Sequence, residues 1–255
     1  MPELIRKRRN EILQVVEAQG FVTIEALAAH FDVSAQTVRR DIIELDAQGL
    51  LRRFHGGAGA SENLERPSYS QKKSLQSPAK IRIARAAAEL IEDGSSVFID
   101  VGTTAEAAAT ALKNKNGLKV FTASYAAALI FAEHPTTVVE VAGGRLDGPD
   151  GSLVGARTTR WLSGLRIDYA LIACSAIEPD GSVLDFSGDK IEVKRAAMSI
   201  ARCSLLMADH TKFARRATYK LAELQDFDHL VIDRLPKGMA LDRLEAKLAV
   251  MICAG

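Results

Sequence analysis

The feature that most constrains the fold is a regular alternation, from about residue 79 onward, of short β-branched runs with longer amphipathic or alanine-rich segments. Short runs rich in Val and Ile are typical of buried strands, and the segments between them have helical spacing. A chain that repeats strand and helix in this way favours a mainly parallel sheet covered by helices on both faces. The predicted strands are 96–100, 118–124, 137–142, 168–174, 204–209 and 229–233, and the predicted helices are 81–91, 105–112, 125–134, 158–162 and 191–201.

The first part of the chain follows a different pattern, with short helices and tight turns. Helical spacing predicts helices over 5–19 and 24–31, and Thr23 and Ser34 are suited to cap the second helix and a third one. A small, polar and Pro-punctuated stretch then indicates a linker. The sequence therefore predicts an α/β protein with a winged helix-turn-helix domain over 1–57, a linker over 58–78, and a Rossmann-like α/β domain over 79–255.

The predicted third helix has an apolar face and a hydrogen-bonding face. Val38, Ile42 and Leu45 fall on one side of a helical wheel, whereas Gln36 and Arg40 point away from it. Gln and Arg can read adenine and guanine edges, and Ser or Thr near a helix N-terminus can meet a phosphate. Three helices with a tight turn before the third are typical of the helix-turn-helix, whose last helix enters the major groove of DNA.

An extended segment with a Gly-Gly turn, residues 50–57, follows this helix and could form a wing against the DNA backbone. The Arg39–Arg40 pair also has a plainer interpretation, because exposed arginines close to Asp41 and Glu44 often form surface salt bridges. The residues alone leave both interpretations open. The candidate DNA-binding residues are Ser34, Gln36, Thr37, Arg39, Arg40, Arg52, Arg53 and His55.

Composition narrows the class of protein. The net charge is +1, and residues 1–57 carry eight Lys/Arg and eight Asp/Glu, so binding to DNA must depend on where the cations lie. No apolar run approaches the ~18 residues of a membrane span, and no secretory leader follows the basic N-terminus. Cys174, Cys203 and Cys253 lack metal-ligand spacing, which favours buried structural thiols. We expect a cytoplasmic protein with no membrane segment, no metal and no cofactor.

The second domain contains a candidate phosphate-binding turn in the sequence F98-I-D-V-G-T-T104. A predicted strand ends, Gly102 turns the chain, and Thr103 and Thr104 begin a helix. The free N–H groups and positive dipole end of such a helix favour an anion. A strand-G-T-T-helix is also often no more than a capped turn.

Other loops follow predicted strands and should meet at the carboxyl edge of the sheet, where open α/β folds bind ligands. These are the loops near Gly143–Gly144, Ser175 and Lys212. Lys212 would supply a cation for a phosphate, and Asp100 and Asp209 could accept hydrogen bonds from sugar hydroxyls. The plainer interpretation makes the Gly-Gly pair a tight turn and Lys212 a solvent-exposed charge.

Several motifs resemble the DeoR family of bacterial repressors. In the first domain they are R8-x3-I12-x3-V16, S34-x2-T37-V-R-R-D-I42 and R53-x-H-G-G-A58. In the second they are F98-I-D-V-G-T-T104, A142-G-G144, D150-G151, G155, V193-K-R-A196 and D209-H-T-K-F213. The resemblance covers about residues 5–235 and is closest to the subgroup that includes the glycerol-3-phosphate repressor.

The resemblance implies a winged helix that recognises paired half-sites in double-stranded operator DNA as a homo-oligomer, a dimer or a tetramer. It implies a second domain that resembles ribose-5-phosphate isomerase in fold and senses a phosphorylated sugar or polyol. Two positions depart from the family pattern: Ser124 replaces a common Asn, and Lys190 replaces an acidic residue, for which Glu192 could compensate. Carried over position by position, the resemblance implies ligand-binding roles for Asp100, Gly102, Thr103, Thr104, Ser124, Gly143, Gly144, Ser175, Lys194 and Lys212.

The expected function is therefore a repressor of a sugar or polyol operon that a phosphorylated effector, such as glycerol 3-phosphate, releases from DNA. An isomerase-like enzyme would need a tuned carboxylate, for which only Asp185 and Asp189 lie in a suitable predicted loop. Catalysis gains nothing from a tethered DNA-reading domain, whereas a sensor gains regulation. A third alternative is a DNA-binding scaffold whose second domain only forms oligomers.

Overall fold

A computed structural model describes residues 2–19, 21–48, 50–54, 57–60, 69, 78–235 and 248–253. The chain forms two compact units, Met1–Arg66 and Pro67–Gly255. Each unit has its own hydrophobic core. Among the described residues, no helix has both the length and the apolar character that crossing a membrane requires.

The first unit combines helices with a small antiparallel sheet in the order β1-β3-β2. Thr23 and Ser34 cap the second and third helices as predicted, and Asp32 between them adopts a left-handed backbone conformation with φ 50°. The elements are α1 (Pro2–Gln19), β1 (Phe21–Thr23), α2 (Ile24–Phe31), α3 (Ala35–Ala47), β2 (Leu51–Phe54) and β3 (Gly57–Ala60).

Strand β3 extends the first unit beyond the predicted domain end at residue 57. Residues 58–60 fall in the stretch predicted as a linker, yet they pair with both β1 and β2. Small residues such as Gly and Ala give a weak strand signal, which explains the difference. Most of the remaining predicted linker, 61–68 and 70–77, lies outside the described residues.

The second unit confirms the predicted Rossmann-like α/β architecture. Its helices are α4 (Pro78–Glu89), α5 (Thr103–Leu112), α6 (Tyr125–Ile130), α7 (Ala156–Ser163) and α8 (Gly188–Ile200). The strands of its main sheet are β4 (Ser96–Ile99), β5 (Lys119–Thr122), β6 (Val138–Val141), β9 (Ile167–Ala173), β12 (Ala201–Ala208), β14 (His229–Ile232) and β15 (Ala249–Ile252). All neighbouring pairs in this sheet are parallel.

Alternating strand residues serve two cores on opposite faces of the sheet. Phe98 and Leu206 belong to one core with α7 and α8, while Val97 and Leu205 belong to the other core with α4, α5 and α6. Strands buried on both faces read as continuous apolar runs, which is why the inner strands of this sheet were predictable. Edge strand β15 was not predicted.

Short antiparallel strands outside the main sheet were not predicted. They are β7 (Arg145–Asp147) paired with β8 (Ser152–Val154), and a small sheet of β10 (Ala176–Ile177), β11 (Ser182–Asp185) and β13 (Tyr219–Glu223). Each is too short to give a clear period of two in the sequence.

Candidate nucleic-acid interface and anion site

Helix α3 has the two faces that its sequence predicts. Val38, Ile42 and Leu45 are buried in the core of the first unit. Arg39 and Arg40 are exposed. The helix therefore presents its forked donors to solvent while its other side anchors it.

Asp41 has other partners than the plainer interpretation of the arginine pair supposes. Its carboxylate is buried and accepts hydrogen bonds from Arg8 Nε at 2.7 Å and Arg9 Nε at 2.9 Å. Asp41 therefore joins α3 to α1, and it does not neutralise its own helix neighbours. Within the described residues, no ion pair includes Arg39 or Arg40.

The structure describes the side chains of most, but not all, of the other candidate DNA-binding residues. Gln36 and Ser34 are exposed, and Ser34 Oγ accepts a hydrogen bond from the Thr37 N–H at 3.2 Å, so this hydroxyl caps α3. Arg53 is exposed on β2, where its backbone N–H donates to Asp46 Oδ1 at 3.2 Å. Arg52 also lies in β2. The Arg52 side chain and His55 lie outside the described residues.

In the second unit the candidate ligand residues lie at the carboxyl edge of the parallel sheet. The strand order is β15-β14-β12-β9-β4-β5-β6. From β4 the chain adds β5 and β6 on one side and then β9, β12, β14 and β15 on the other, so the order of strands reverses between β4 and β9. Open α/β sheets bind ligands at such a switch point. Asp100 directly follows β4, and Ser175 lies just beyond β9.

A buried charge cluster crosses this switch point. Lys194 on α8 contacts Asp100 Oδ2 at 2.5 Å and Asp185 Oδ2 at 3.2 Å, and it donates to the Ala173 carbonyl at 2.7 Å. Ser175 Oγ donates to Asp185 Oδ1 at 2.8 Å. The structure thus brings together three of the predicted residues, Asp100, Ser175 and Lys194, and adds Asp185.

The cluster favours a charged lysine between two carboxylates. Burial alone would lower the pKa of Lys194, but Asp100 and Asp185 raise it above its usual range. Burial raises the pKa of Asp100, although Lys194 opposes this rise. Burial alone would also raise the pKa of Asp185, but Lys194 and the Ser175 hydroxyl hold it below its ordinary value.

A second, cationic cluster surrounds the N-terminus of α5. Gly102 precedes this helix with φ 104°, and no side chain caps it. Lys80 Nζ donates to Thr103 Oγ1 at 2.9 Å. Burial lowers the pKa of Lys80, and the nearby charge of Lys212 lowers it further.

Lys212 supplies a buried cation to this cluster. The side chain is 9% exposed, and among the described residues its ammonium takes part in no hydrogen bond or ion pair. Burial lowers the pKa of Lys212, while Asp209 opposes this effect and Arg215 adds to it. A buried ammonium close to a helix N-terminus and two other cations favours an anion, so this cluster stays a candidate phosphate site.

Other predicted ligand residues have structural partners. Ser124 is fully buried and caps α6 by accepting a hydrogen bond from the Ala127 N–H at 3.2 Å. The Gly143 carbonyl accepts from Thr158 Oγ1 at 2.9 Å. At Gly144 a Cβ would lie 2.3 Å from the same hydroxyl oxygen, so close packing against α7 accounts for this glycine. Thr104 is buried in the first turn of α5.

The sequence suggested Glu192 as a substitute for the acidic residue that Lys190 replaces. Glu192 is exposed and pairs with Arg195 at 3.2 Å, whereas buried Lys190 contacts Asp150 Oδ2 at 2.6 Å. Asp185 does not lie in the predicted loop, because it ends β11 and is buried. Asp189 is exposed and pairs with Arg145 at 2.6 Å.

Three contributors to the site were missed or left out of it: Lys80, Asp185 and Arg215. Lys80 directly follows the predicted linker, and no local pattern distinguishes it from a surface lysine. Of the thiols predicted to be buried, only Cys174 is fully buried, and burial raises its pKa to about 12. Cys203, near the start of β12, and Cys253, directly after β15, are both partly exposed.

The sequence matches two family descriptions, a DeoR-like helix-turn-helix domain over residues 8–63 and a DeoR C terminal sensor domain over residues 75–234. It is 38% identical over 248 residues to a glycerol-3-phosphate regulon repressor of Haemophilus influenzae, with 97% of each chain covered. It is 37% identical to the protein of that name from Escherichia coli, with 90% of this chain and 91% of the relative covered.

A lactose phosphotransferase system repressor of Lactococcus lactis is 34% identical, with 82% of this chain and 84% of the relative covered. Among solved structures, ribose 5-phosphate isomerase A of Methanocaldococcus jannaschii is 15% identical with a TM-score of 0.38, over 52% of this chain and 53% of that one. By the two family matches and the relatives that span nearly its whole length, the chain belongs to the DeoR family of transcriptional regulators.

Proposed function

We propose that this protein is a transcriptional repressor of a sugar or polyol catabolic operon and that a phosphorylated effector releases it from operator DNA. The observation that carries this proposal is the buried ammonium of Lys212, close to Lys80 at the N-terminus of α5, which takes part in no hydrogen bond or ion pair among the described residues. In the same chain, α3 presents Gln36, Arg39 and Arg40 to solvent. One chain thus carries a face for DNA and a separate site for an anion.

The effector's phosphate would bind at the Gly102–Thr103 turn, with Lys80, Lys212 and Arg215 as its cations. Its hydroxyl groups would meet the polar edge of the neighbouring charge cluster, where Ser175 and Asp185 lie. Glycerol 3-phosphate is the first candidate because two close relatives are named as repressors of its regulon.

An isomerase-like enzyme is the second candidate, and the charges argue against it. A general base works best when its pKa lies near the operating pH. Lys194 and Ser175 hold the pKa of Asp185 below its ordinary value, which is away from the operating pH. Asp189 is exposed and paired with Arg145. An effector site accounts for these residues without any catalytic step.

We also propose that the protein acts as a homo-oligomer, a dimer or a tetramer, since helix-turn-helix proteins bind paired half-sites as dimers. Exposed apolar side chains around edge strand β6 support assembly with a second copy; they include Leu129, which is 72% exposed, and also Tyr125, Val138 and Leu146. Light scattering after chromatography tests this, and Leu129→Glu is expected to lower the oligomeric mass. An unchanged mass would remove this face from consideration.

The proposed function is tested by operator binding with and without effector. Fluorescence anisotropy with DNA fragments that flank the gene should give a complex that glycerol 3-phosphate or another sugar phosphate dissociates, while unphosphorylated glycerol has no effect. Lys212→Ala should keep operator affinity and lose release. Arg40→Ala should weaken operator binding by about 1–3 kcal/mol and keep effector binding.

Effector binding itself is measured by thermal shift. A ligand at a hundred times its Kd stabilises the folded state by about 2.7 kcal/mol. DNA binding without a shift from any sugar phosphate would favour a scaffold, and turnover of a sugar phosphate would favour the enzyme.

A further inference from the structure

Two residues in or just after the predicted linker contact the helix whose N-terminus belongs to the candidate anion site. Lys80 is the third residue of α4, which begins at Pro78, and its ammonium is bonded to Thr103 at the start of α5. Tyr69 lies nine positions before Pro78, and its hydroxyl donates to Glu106 Oε1 at 2.8 Å. Tyr69 and Lys80, which lie near the start of the second unit, therefore both contact α5.

Both contacts fall on a single turn of one helix. Thr103 and Glu106 belong to the first turn of α5, the same turn whose N-terminus forms the proposed phosphate site. Residues three apart lie on one face of a helix. A ligand at this turn thus has the Lys80 and Tyr69 contacts as near neighbours.

The second element next to Tyr69 is the turn that carries Asp150. Burial, the hydrogen bond to Glu106 and the charges of Glu106 and Asp150 together raise the pKa of Tyr69 to about 12. Asp150 is itself bound by buried Lys190 on α8, the helix that also carries Lys194. Tyr69 therefore lies near the carboxylates of two elements, Glu106 of α5 and Asp150 of the turn before β8.

A bound phosphate would change the charge around this turn. In its absence Lys80 donates to Thr103 and lies near Lys212 and Glu106. A dianion would attract Lys80 and repel the Glu106 carboxylate, which is the acceptor for Tyr69. Effector binding and the hydrogen bond of the Tyr69 hydroxyl would then be energetically coupled, so that each changes the stability of the other.

We propose that Tyr69 and Lys80 form a tether between the linker and the first turn of α5, and that this tether transmits effector binding to the DNA-binding unit. Lys80 acts as the phosphate-sensing end and Tyr69–Glu106 as the transmitting contact. The inference rests on the proposed effector-released repressor and assigns its regulation to these residues.

The test is the ratio of operator Kd at saturating effector to operator Kd without effector, measured on the full chain. Saturation makes the ratio independent of how tightly the effector binds. Tyr69→Phe keeps the ring and removes the hydroxyl that donates to Glu106. We expect it to reduce the ratio about threefold or more while operator affinity without effector stays within about twofold. Tyr219→Phe, which removes a hydroxyl from an exposed tyrosine of the same unit, is the matched control and should leave the ratio unchanged.

A double-mutant cycle with Glu106→Ala makes the result specific to the pair. If the tether transmits the signal, adding Tyr69→Phe to Glu106→Ala has no further effect on the ratio. A wild-type ratio near one would defeat the proposed function itself. A large wild-type ratio that Tyr69→Phe leaves unchanged would overturn the tether but not the proposed function. Additive effects of Tyr69→Phe and Glu106→Ala on the ratio would overturn the tether as well.

Discussion

Lys194 and Asp100 are 94 positions apart in the chain, yet Lys194 Nζ lies 2.5 Å from Asp100 Oδ2. Both side chains are about 2% exposed. The contact joins the end of β4 to α8 at the point where the sheet order reverses. It therefore fixes the geometry of the carboxyl edge and also its charge.

Removing this lysine is expected to destabilise the second unit strongly. Lys194→Met would leave the carboxylates of Asp100 and Asp185 buried without their cation, and breaking a buried pair in this way costs about 3–5 kcal/mol. Urea unfolding followed by fluorescence of Trp161, the single tryptophan, reports on this unit. Lys113→Met at the exposed end of α5 is the control and should not change the unfolding midpoint. A loss below about 1 kcal/mol for Lys194→Met would contradict a structural role for the cluster.

Much of the fold was predictable because the pattern repeats. Buried parallel strands such as β9 and β12 read as apolar runs, and caps such as Thr23 and Ser34 are local signals that depend only on residues within one turn. The candidate anion turn at Gly102–Thr103 was predictable for the same reason, since a strand, a glycine and a helix start follow each other directly.

Long-range partners were not predictable. Nothing near Lys80 indicates Thr103 as its partner, and nothing near Lys190 indicates Asp150, 40 positions earlier. Charged pairs of this kind depend on tertiary packing, which a single sequence does not encode as a local pattern. Short strands such as β7 and β8 were not predicted for another reason: three residues are too few to show an alternating pattern.

The pair of contacts from Arg8 and Arg9 to Asp41 predicts where the first unit is vulnerable. Asp41→Ala would remove two charge-assisted hydrogen bonds between α1 and α3, at a cost of about 2 kcal/mol. Hydrogen exchange of the α1 amides in the full chain should show the loss of protection, and operator affinity should fall with it. Glu25→Ala, on the exposed side of α2, should leave both unchanged. Unchanged protection of α1 in Asp41→Ala would mean that these pairs do not join the two helices.

Effector affinity should depend on pH because Lys80 and Lys212 lose their charge as the pH rises. Burial lowers the pKa of Lys80 and Lys212 in the free protein, and a bound phosphate would favour their charged forms and raise both pKa values. By linkage, affinity is full while both lysines are protonated and falls as pH rises through their free-protein pKa values, hence below the ordinary lysine value of about 10.4. On the acid side, affinity should fall below about pH 6, where the phosphate loses its second charge.

Calorimetric titration across this range checks the pH profile. Lys212→Arg keeps a permanent charge at the site, so its affinity should fall less on the alkaline side. A wild-type Kd that stays constant up to about pH 10 would mean that neither lysine contacts the effector.

The adjacent glycines Gly143 and Gly144 offer a comparison between packing and ligand binding. A Cβ at Gly144 would lie 2.3 Å from Thr158 Oγ1 and 2.8 Å from the Val154 carbonyl oxygen, whereas at Gly143 it would meet only the flexible side chain of Arg157 at 3.2 Å. Gly144→Ala should therefore destabilise the second unit by about 1–3 kcal/mol, because α7 and β8 must shift. Gly143→Ala should leave the unfolding midpoint, followed by Trp161 fluorescence, nearly unchanged. If Gly143→Ala nevertheless weakens effector binding, this glycine contacts the ligand; if Gly144→Ala is as stable as the wild type, its close packing against α7 does not explain why a glycine occupies the position.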